Sequence, residues 1–258
     1  MKKILSYLIY TIALINIHFL SINCSNKENK NIPALEKVRK NNNKNDKNNS
    51  TEVQVFEAYE IFTDPIEAIP NGYVLFEKIF GDLNKDGLED CVLIIKDTDK
   101  SKIINHQYNG ELDRNRRGII ILFKDNNGYT LASKNYHLFS SENEEGGVYF
   151  PPELSIEIVK NNLRINYSHG RYGYWYYTFR FNQNDFELIG YDSSSHTGPR
   201  VDSQLSINFL TNKKLELHNT NLNYDENQED KFEETWSKIK KKPLIKLSEI
   251  IDIDELDF

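Results

Sequence analysis

Apolar side chains recur at every second position through most of residues 51–258, and short polar turns separate the runs. LSIEI (154–158) and LRINY (163–167) both show this alternation, and Asn161 and Asn162 lie between them. A period of two places successive side chains on opposite faces of a strand, and two such runs joined by a short polar turn are typical of a β-hairpin. The pattern therefore predicts antiparallel strands rather than helices.

The same pattern extends along the chain and predicts about ten strands. Short polar turns follow several of them, for example NQND (182–185) and Thr211-Asn212. Besides the two runs above, the predicted strands are YVLFEKIF (73–80), CVLIIK (91–96), GIIILF (118–123), GYTLAS (128–133) and the alternating runs at 177–181, 186–188, 205–209 and 215–217.

Evidence for helices is thin. Phe232, Trp236 and Ile239 stand at i, i+4 and i+7, a spacing compatible with one short helix, and residues 52–62 fit either a helix or a strand. Two polar stretches are expected to be loops, residues 98–117 and 138–149. The predicted fold class is mainly β: an antiparallel meander forming a curved sheet, a sandwich or a propeller-like body, with one or two short helices.

Residues 1–24 have the organisation of an export signal. Lys2 and Lys3 give a basic start, and an apolar stretch without charge leads to Cys24. A cysteine in this position resembles the lipobox cysteine of bacterial lipoproteins, whose thiol is acylated, and the resemblance implies a membrane anchor at Cys24. A plain secretory signal and an uncleaved anchor are the alternatives, and all three place the body outside the cytoplasm. We therefore expect a bacterial cell-envelope protein anchored in the outer membrane.

Residues 25–50 consist mostly of Asn and Lys, with few apolar side chains. Such a segment cannot bury enough surface to offset the entropy lost on ordering, so we predict a disordered tether. It carries seven basic and three acidic residues. A basic tether suits a position beside an anionic lipid surface.

Residues 51–258 are long enough to bury a sizeable core and fit one domain. The whole chain carries a charge of −7, and because the N-terminal lysines and the tether are basic, the body alone carries −13. Binding of phosphates requires a basic surface, so this charge argues against nucleic acid as a partner. Cys91 is the one cysteine besides Cys24, which leaves no disulfide framework and favours a small buried residue.

FGDLNKDGLEDCVLI (80–94) places Asp82, Asn84, Asp86 and Asp90 at positions 1, 3, 5 and 9 of a loop, with a glycine at position 6. Ca²⁺ requires six or more oxygen ligands at about 2.3–2.6 Å, and alternate side chains of a compact loop supply them together with a backbone carbonyl, here that of Leu88. The loop 82–90 is therefore a candidate structural calcium site. A polar turn without a metal is the alternative.

Position 12 of this loop is a leucine instead of the bidentate glutamate of an EF-hand, and an apolar strand follows. The strand–loop–strand context resembles the calcium loop of integrin-type propeller repeats, the FG-GAP family, although no second copy exists. The ordered blocks between residues 68 and 258 resemble a group of secreted bacterial proteins that share one such loop and a β-rich body. The resemblance implies a fold and an envelope address and brings no catalytic residues.

SHGRYGYWYY (168–177) is the candidate contact surface, with Arg171, Tyr172, Tyr174 and Trp175 as its candidate residues. Aromatic side chains with polar groups, together with an arginine, suit interfaces and sugar stacking. Consecutive residues of a strand face opposite ways, however, so about half of the aromatic side chains are expected to be core.

Catalytic patterns are weak. The chain lacks a G-x-S-x-G elbow, the histidines lack metal-ligand spacing, and SSSH (193–196) is expected to be a loop. Glu142, Glu144 and Glu145 could pair as carboxylates for glycoside hydrolysis, but a polar loop explains them equally well. The sequence favours binding of an unknown envelope protein or glycan over catalysis, and the alternative is a secreted hydrolase of an envelope polymer or glycan.

Overall fold

The computed structural model describes residues 60–144, 151–221 and 230–258. The signal, the tether and Cys24 lie outside the described residues. Within the described part, no helix is long and apolar enough to cross a membrane. The strands are β1 Ile61–Phe62, β2 Tyr73–Gly81, β3 Asp90–Asp97, β4 Ile103–His106, β5 Gly110–Asp113, β6 Arg117–Lys124, β7 Tyr129–Phe139, β8 Glu153–Val159, β9 Asn162–Ser168, β10 Gly173–Asn182, β11 Asp185–Thr197, β12 Arg200–Asn208, β13 Lys213–Asn219 and β14 Phe232–Lys238.

The strands form two large antiparallel sheets and one small hairpin. The first sheet has five strands in the order β1-β7-β6-β3-β2, and the second has seven in the order β14-β13-β12-β11-β10-β9-β8. Because the second sheet keeps chain order, it is a simple meander. The predicted mainly-β antiparallel fold is confirmed. The helical segments of the described part are short 3-10 turns at Pro65–Ala68, Lys100–Lys102, Gly170–Tyr172, Leu247–Glu249 and Ile253–Glu255.

Hairpin turns of the meander lie where the sequence predicts them. Lys160 and Asn161, between β8 and β9, have φ of 51° and 60°. Positive φ at both central residues is the mark of the two-residue turns whose twist matches that of paired strands. Gln183 (φ 59°) and Asn212 (φ 54°) occupy the next two predicted turns. The register of the meander is therefore fixed largely by local turn chemistry.

Alternate residues of the two large sheets meet in one apolar core. Val92 and Ile94 of β3 contribute from the five-stranded sheet, and Ile165, Tyr177 and Phe179 contribute from the seven-stranded sheet. All five are at least nine-tenths buried. The two sheets therefore pack face to face, and the side chains on the opposite face of the seven-stranded sheet point away from this core.

β3 and β6 are buried on both faces. Cys91, Leu93 and Ile95 lie on the outer face of the five-stranded sheet and are covered by the segment that carries Phe62 and Ile69. Burial on two sides explains why these strands read as continuous apolar runs. It also raises the pKa of the Cys91 thiol to about 12, and Cys91 is the buried, unpaired cysteine that the sequence predicts.

The C-terminal segment crosses the end of the core and connects both sheets. Leu247 and Ile253 are fully buried. Asn135 Nδ2, on β7, donates to the carbonyls of Leu247 at 2.9 Å and of Ile250 at 2.7 Å. Tyr177 Oη, on β10, donates to the Ile253 carbonyl at 3.1 Å. This segment is therefore an integral part of the fold.

Three local predictions are wrong. β14 replaces the short helix predicted around Phe232 and Trp236, because the segment pairs with β13 as an exposed edge strand. The polar stretch 98–117 contains the β4–β5 hairpin in place of a continuous loop. Ser193–His196 lies within β11 and is not a loop.

Candidate functional site

The Asp-rich loop between β2 and β3 is folded by its own side chains. Asp82 Oδ2 accepts the backbone N–H of Gly87 at 3.2 Å. Asn84 Oδ1 accepts that of Asp86 at 3.0 Å, and Asp86 Oδ1 accepts that of Leu88 at 2.8 Å. Gly87 has φ of 86°, a conformation that glycine adopts without steric cost. These hydrogen bonds hold Asp82, Asn84 and Asp86 in one tight turn.

Asp90 has a different environment from the other candidate ligands, because it is completely buried. Its Oδ2 accepts the backbone N–H groups of Leu83 at 2.7 Å and Asn84 at 3.3 Å, and its Oδ1 accepts that of Lys124 at 3.0 Å. Burial raises the pKa of Asp90, and the amide hydrogen bonds oppose that rise. Asp90 therefore anchors the loop to the sheet whether or not a cation is bound.

Every atom that the candidate ligands would offer to a metal is an oxygen, as a hard divalent cation requires. Among residues 60–144, 151–221 and 230–258, no three His, Cys, Asp or Glu side chains converge in metal-binding geometry. A cation here would therefore depend on the Asn84 amide and on the Leu88 carbonyl as well as on carboxylates. Asp86 Oδ2 accepts Asn84 Nδ2 at 2.8 Å, a hydrogen bond that a cation would replace. The donor set fits Ca²⁺ in chemistry.

The aromatic side chains of the candidate contact surface that belong to β10 lie on two opposite faces of that strand. Tyr177 is buried in the core, and Trp175 packs against that core and stacks on Tyr167, with ring centroids 5.2 Å apart. Tyr174 and Tyr176 alternate with them and so lie on the outer face of the seven-stranded sheet. Tyr174 is 41% exposed. Trp175 and Tyr177 therefore face the core, and Tyr174 and Tyr176 face away from it, as the alternation along a strand requires.

The outer face of the seven-stranded sheet carries a concavity of about 170 Å³ beside these tyrosines. The rings of Tyr174 and Tyr176 are nearly parallel, at 7°, with centroids 6.4 Å apart. The Arg164 guanidinium lies 4.4 Å from the Tyr176 ring centroid. The concavity combines aromatic, aliphatic and polar walls, and its lining side chains include Tyr174, Tyr176, Asp192, Gln204, Ser206, Leu215 and Leu217.

Arg171 and Tyr172 lie elsewhere, in the 3-10 turn between β9 and β10. The Arg171 Nε and Nη2 atoms both donate to Tyr172 Oη at 3.2 Å. Together with His169 they border a separate open depression. The four candidate contact residues therefore occupy three different places, and Tyr174 is the one on the outer face.

A serine–histidine contact in β11 escapes the sequence prediction. Ser194 Oγ and His196 Nε2 lie 2.7 Å apart, because residues i and i+2 of a strand face the same side of the sheet. Ser194 is only 4% exposed, however, and no carboxylate of the described residues accepts a hydrogen bond from His196. A nucleophile needs access to its substrate and a base oriented by a third group, so this pair does not make a hydrolase site.

Glu142 and Glu144 do not pair as catalytic carboxylates. Glu142 forms an ion pair with the buried Lys96, which also pairs with Asp113 at 3.1 Å. Glu144 Oε1 accepts a hydrogen bond from Ser141 at 3.1 Å. Glu145, the third glutamate of the prediction, lies outside the described residues.

Comparison with known proteins does not assign a function to any of these sites. No family model, no curated protein and no solved structure matches the chain.

Proposed function

We propose that this chain is an exported, lipid-anchored protein of the bacterial cell envelope. Its β-sandwich binds an envelope glycan through the outer face of the seven-stranded sheet, and the loop 82–90 holds a structural Ca²⁺. The observation that carries the proposal is the outer-face concavity between Tyr174 and Tyr176 on one side and Leu215 and Leu217 on the other.

The chemistry of the concavity suits a sugar chain. Aromatic rings supply apolar contact area at low entropic cost, and their hydroxyl groups supply hydrogen bonds. Asp192 and Gln204 place a carboxylate and an amide among the lining residues, so both donors and acceptors are within reach of sugar hydroxyl groups. Trp236, on β14 of the same sheet, is 61% exposed and extends the aromatic surface.

The sequence of the first fifty residues supports the proposed localisation in the cell envelope. Acylation of Cys24 would give the membrane anchor, and the basic tether would lie near anionic lipid headgroups while the acidic body stays away from them. An outward-facing sheet on a tethered body is free to contact polymers of the envelope.

Calcium has a structural role in this proposal. Each candidate ligand belongs to the loop itself, and a ligand set completed within one loop leaves no open position for a substrate. The tyrosines of the outer face belong to β10 and make no hydrogen bond with the loop within the described part of the chain. Glycan binding should therefore survive removal of calcium as long as the protein stays folded.

Hydroxyl-radical footprinting of the full chain, with and without insoluble cell-wall glycan, tests which surface is used. We expect the glycan to protect Tyr174, Leu215 and Leu217 from oxidation. Tyr108, which is 82% exposed on the β4–β5 hairpin, should stay unprotected. Protection of Tyr108 without protection of Tyr174 would refute the outer-face site.

A further inference from the structure

A second cavity, of about 360 Å³, lies between the two sheets near the C-terminal segment. Its volume is within the range of about 300–1,000 Å³ that small-molecule sites occupy. It is separate from the outer-face concavity, since none of its lining residues borders that concavity. The lining residues are Arg117, Ser140, Ser141, Glu144, Pro151, Pro152, Tyr167, Trp175, Tyr177, Tyr191, Asp254 and Leu256.

Arg117 is the first of two buried donors in the wall of this cavity. It is 4% exposed, and its Nε donates to the Ser140 carbonyl at 2.9 Å. Its two terminal nitrogens make no hydrogen bond or ion pair with any described residue. The guanidinium also lies 5.3 Å from the Phe76 ring centroid, which holds the side chain in place. Within the described part of the chain, the terminal N–H groups of Arg117 are therefore available to a ligand in the cavity.

Tyr167 is the second donor. It is 3% exposed, and its hydroxyl has Asp254 as a neighbour without making a hydrogen bond of normal geometry to a described residue. Buried polar groups in native proteins nearly always have a hydrogen-bond partner, so an unpartnered one calls for an explanation. The Tyr167 hydroxyl is such a group in the cavity wall, and a polar ligand bound beside Arg117 would explain it.

Acceptors accompany these donors. Asp254 Oδ2 accepts from Ser140 Oγ at 2.9 Å, and Glu144 Oε1 accepts from Ser141 Oγ, which leaves each carboxylate with further lone pairs. Two carboxylates face one guanidinium in the lining, so the cavity has no excess of positive charge. An anionic ligand would be repelled, whereas hydroxyl groups can donate to the carboxylates and accept from Arg117 and Tyr167.

Aromatic rings supply the apolar walls. Trp175, Tyr177 and Tyr191 all line the cavity, and the rings of Tyr177 and Tyr191 contact each other with centroids 5.2 Å apart. Trp175 is fixed by its stacking on Tyr167. Rings with polar groups between them suit a ligand with one apolar face and an edge of hydroxyl groups.

We infer that this cavity binds an uncharged sugar ring, either as a free sugar or as the terminal unit of a glycan chain. The neutral hydroxyl groups of the sugar complete the hydrogen bonding of Arg117 and Tyr167, and its apolar face packs on the aromatic walls. The inference stands whether or not the outer face of the seven-stranded sheet binds glycan.

Tryptophan fluorescence tests this site directly, because the chain has two tryptophans and only Trp175 lines the cavity. In the full chain carrying Trp236→Phe, Trp175 becomes the single reporter. Glucose, galactose and N-acetylglucosamine are titrated separately, followed by an N-acetylglucosamine oligosaccharide. We expect a saturable change in Trp175 emission with at least one of these sugars.

Tyr167→Phe is the sharpest variant, because it removes only a hydroxyl that makes no hydrogen bond of normal geometry to a described residue. We expect an unchanged melting temperature and binding about tenfold weaker, as for the loss of one hydrogen bond to a ligand. Arg117→Lys keeps the charge but loses the forked donors, and it should weaken binding similarly. Tyr174→Ala, on the outer face, is the control and should leave the titration unchanged.

Each remaining outcome decides the inference. A response to free sugars supports a free-sugar site, and a response to the oligosaccharide alone supports a terminal-unit site. The inference fails if no sugar changes Trp175 emission, if Tyr167→Phe binds as tightly as the unsubstituted protein, or if only an acidic sugar such as glucuronic acid binds. Cleavage of the oligosaccharide would overturn a site that only binds.

Discussion

Asp90 Oδ1 accepts the backbone N–H of Lys124 at 3.0 Å, across 34 positions of sequence. This hydrogen bond joins the Asp-rich loop to the end of β6. The other carboxylate oxygen accepts from Leu83 and Asn84 within the loop, so one buried side chain links the loop to the sheet. The loop thus has two parts: an anchor at Asp90, and a turn at 82–88 whose side chains are available to a cation.

Asp90→Asn should lower the free energy of unfolding by about 2–3 kcal/mol, because a buried acceptor of three amides is replaced by a group that offers only one acceptor oxygen. The loss should persist in chelator, since the anchor is formed by protein groups. Urea denaturation measures it. Asp125→Asn is the matched control. Asp125 Oδ1 also accepts two amides, at 2.6 and 3.0 Å, but Asp125 is only half-buried, so the loss should be below about 1 kcal/mol. Equal losses would contradict the anchor role.

Millimolar calcium should raise the melting temperature and chelator should lower it. A ligand that binds only the folded state stabilises by about 2.7 kcal/mol at a hundredfold excess over Kd, and extracellular calcium modules bind with a Kd of about 10⁻⁴–10⁻³ M. Asp86→Ala should erase the calcium effect. Asp125→Ala, outside the loop, should preserve it. If neither calcium nor chelator changes the melting temperature, the loop is a polar turn that does not bind calcium.

Much of the fold was predictable because its determinants are local. The hairpins of the meander combine a two-residue period with turn residues that tolerate positive φ, such as Asn161 and Asn212. β14 was not predictable in this way, because all seven of its residues are exposed. An exposed edge strand shows no apolar alternation, and the spacing of Phe232 and Trp236 then fits a helix equally well.

The site was less predictable because its residues meet only through topology. Arg117 and Asp254 line one cavity although they are far apart in sequence. The aromatic cluster could be found in the sequence, but assigning Tyr174 to the outer face and Trp175 to the core required the strand register. The Ser194–His196 contact joins positions i and i+2 of β11, and the expectation of a loop at 193–196 concealed it.

Alkaline pH should destabilise the protein in part through Cys91. The pKa of this thiol is about 12 in the folded protein and 9.0 without burial. Below pH 9 both states keep the proton, and between pH 9 and 12 only the unfolded state ionises, so stability falls as pH rises, by up to about 1.4 kcal/mol per pH unit. Cys91→Ala should flatten this slope in urea titrations at pH 8 to 11. Identical slopes would contradict the prediction. Burial also raises the pKa of Tyr167 and Tyr177, so some slope should persist.

Cys24→Ser should abolish both acyl labelling and membrane association, because the hydroxyl does not take the place of the acylated thiol and stable anchoring requires more than one chain or signal. Membrane fractionation after metabolic labelling measures both. Cys91→Ser, which leaves the signal intact, is the control. Persistence of the Cys24→Ser protein in washed membranes would rule out the lipid anchor.

Co-sedimentation of the full chain with insoluble cell-wall glycan tests the proposed function most directly. We predict that the unsubstituted protein pellets with the glycan in calcium and, well below its melting temperature, in chelator. Combined Tyr174→Ala and Tyr176→Ala should weaken retention at least about tenfold. Each tyrosine ring that packs on a sugar contributes on the order of 1 kcal/mol, and about 1.4 kcal/mol corresponds to a tenfold change in Kd. Tyr108→Ala should pellet normally. An unsubstituted protein that stays in the supernatant, or a double variant that pellets as well as the unsubstituted protein, would contradict the account.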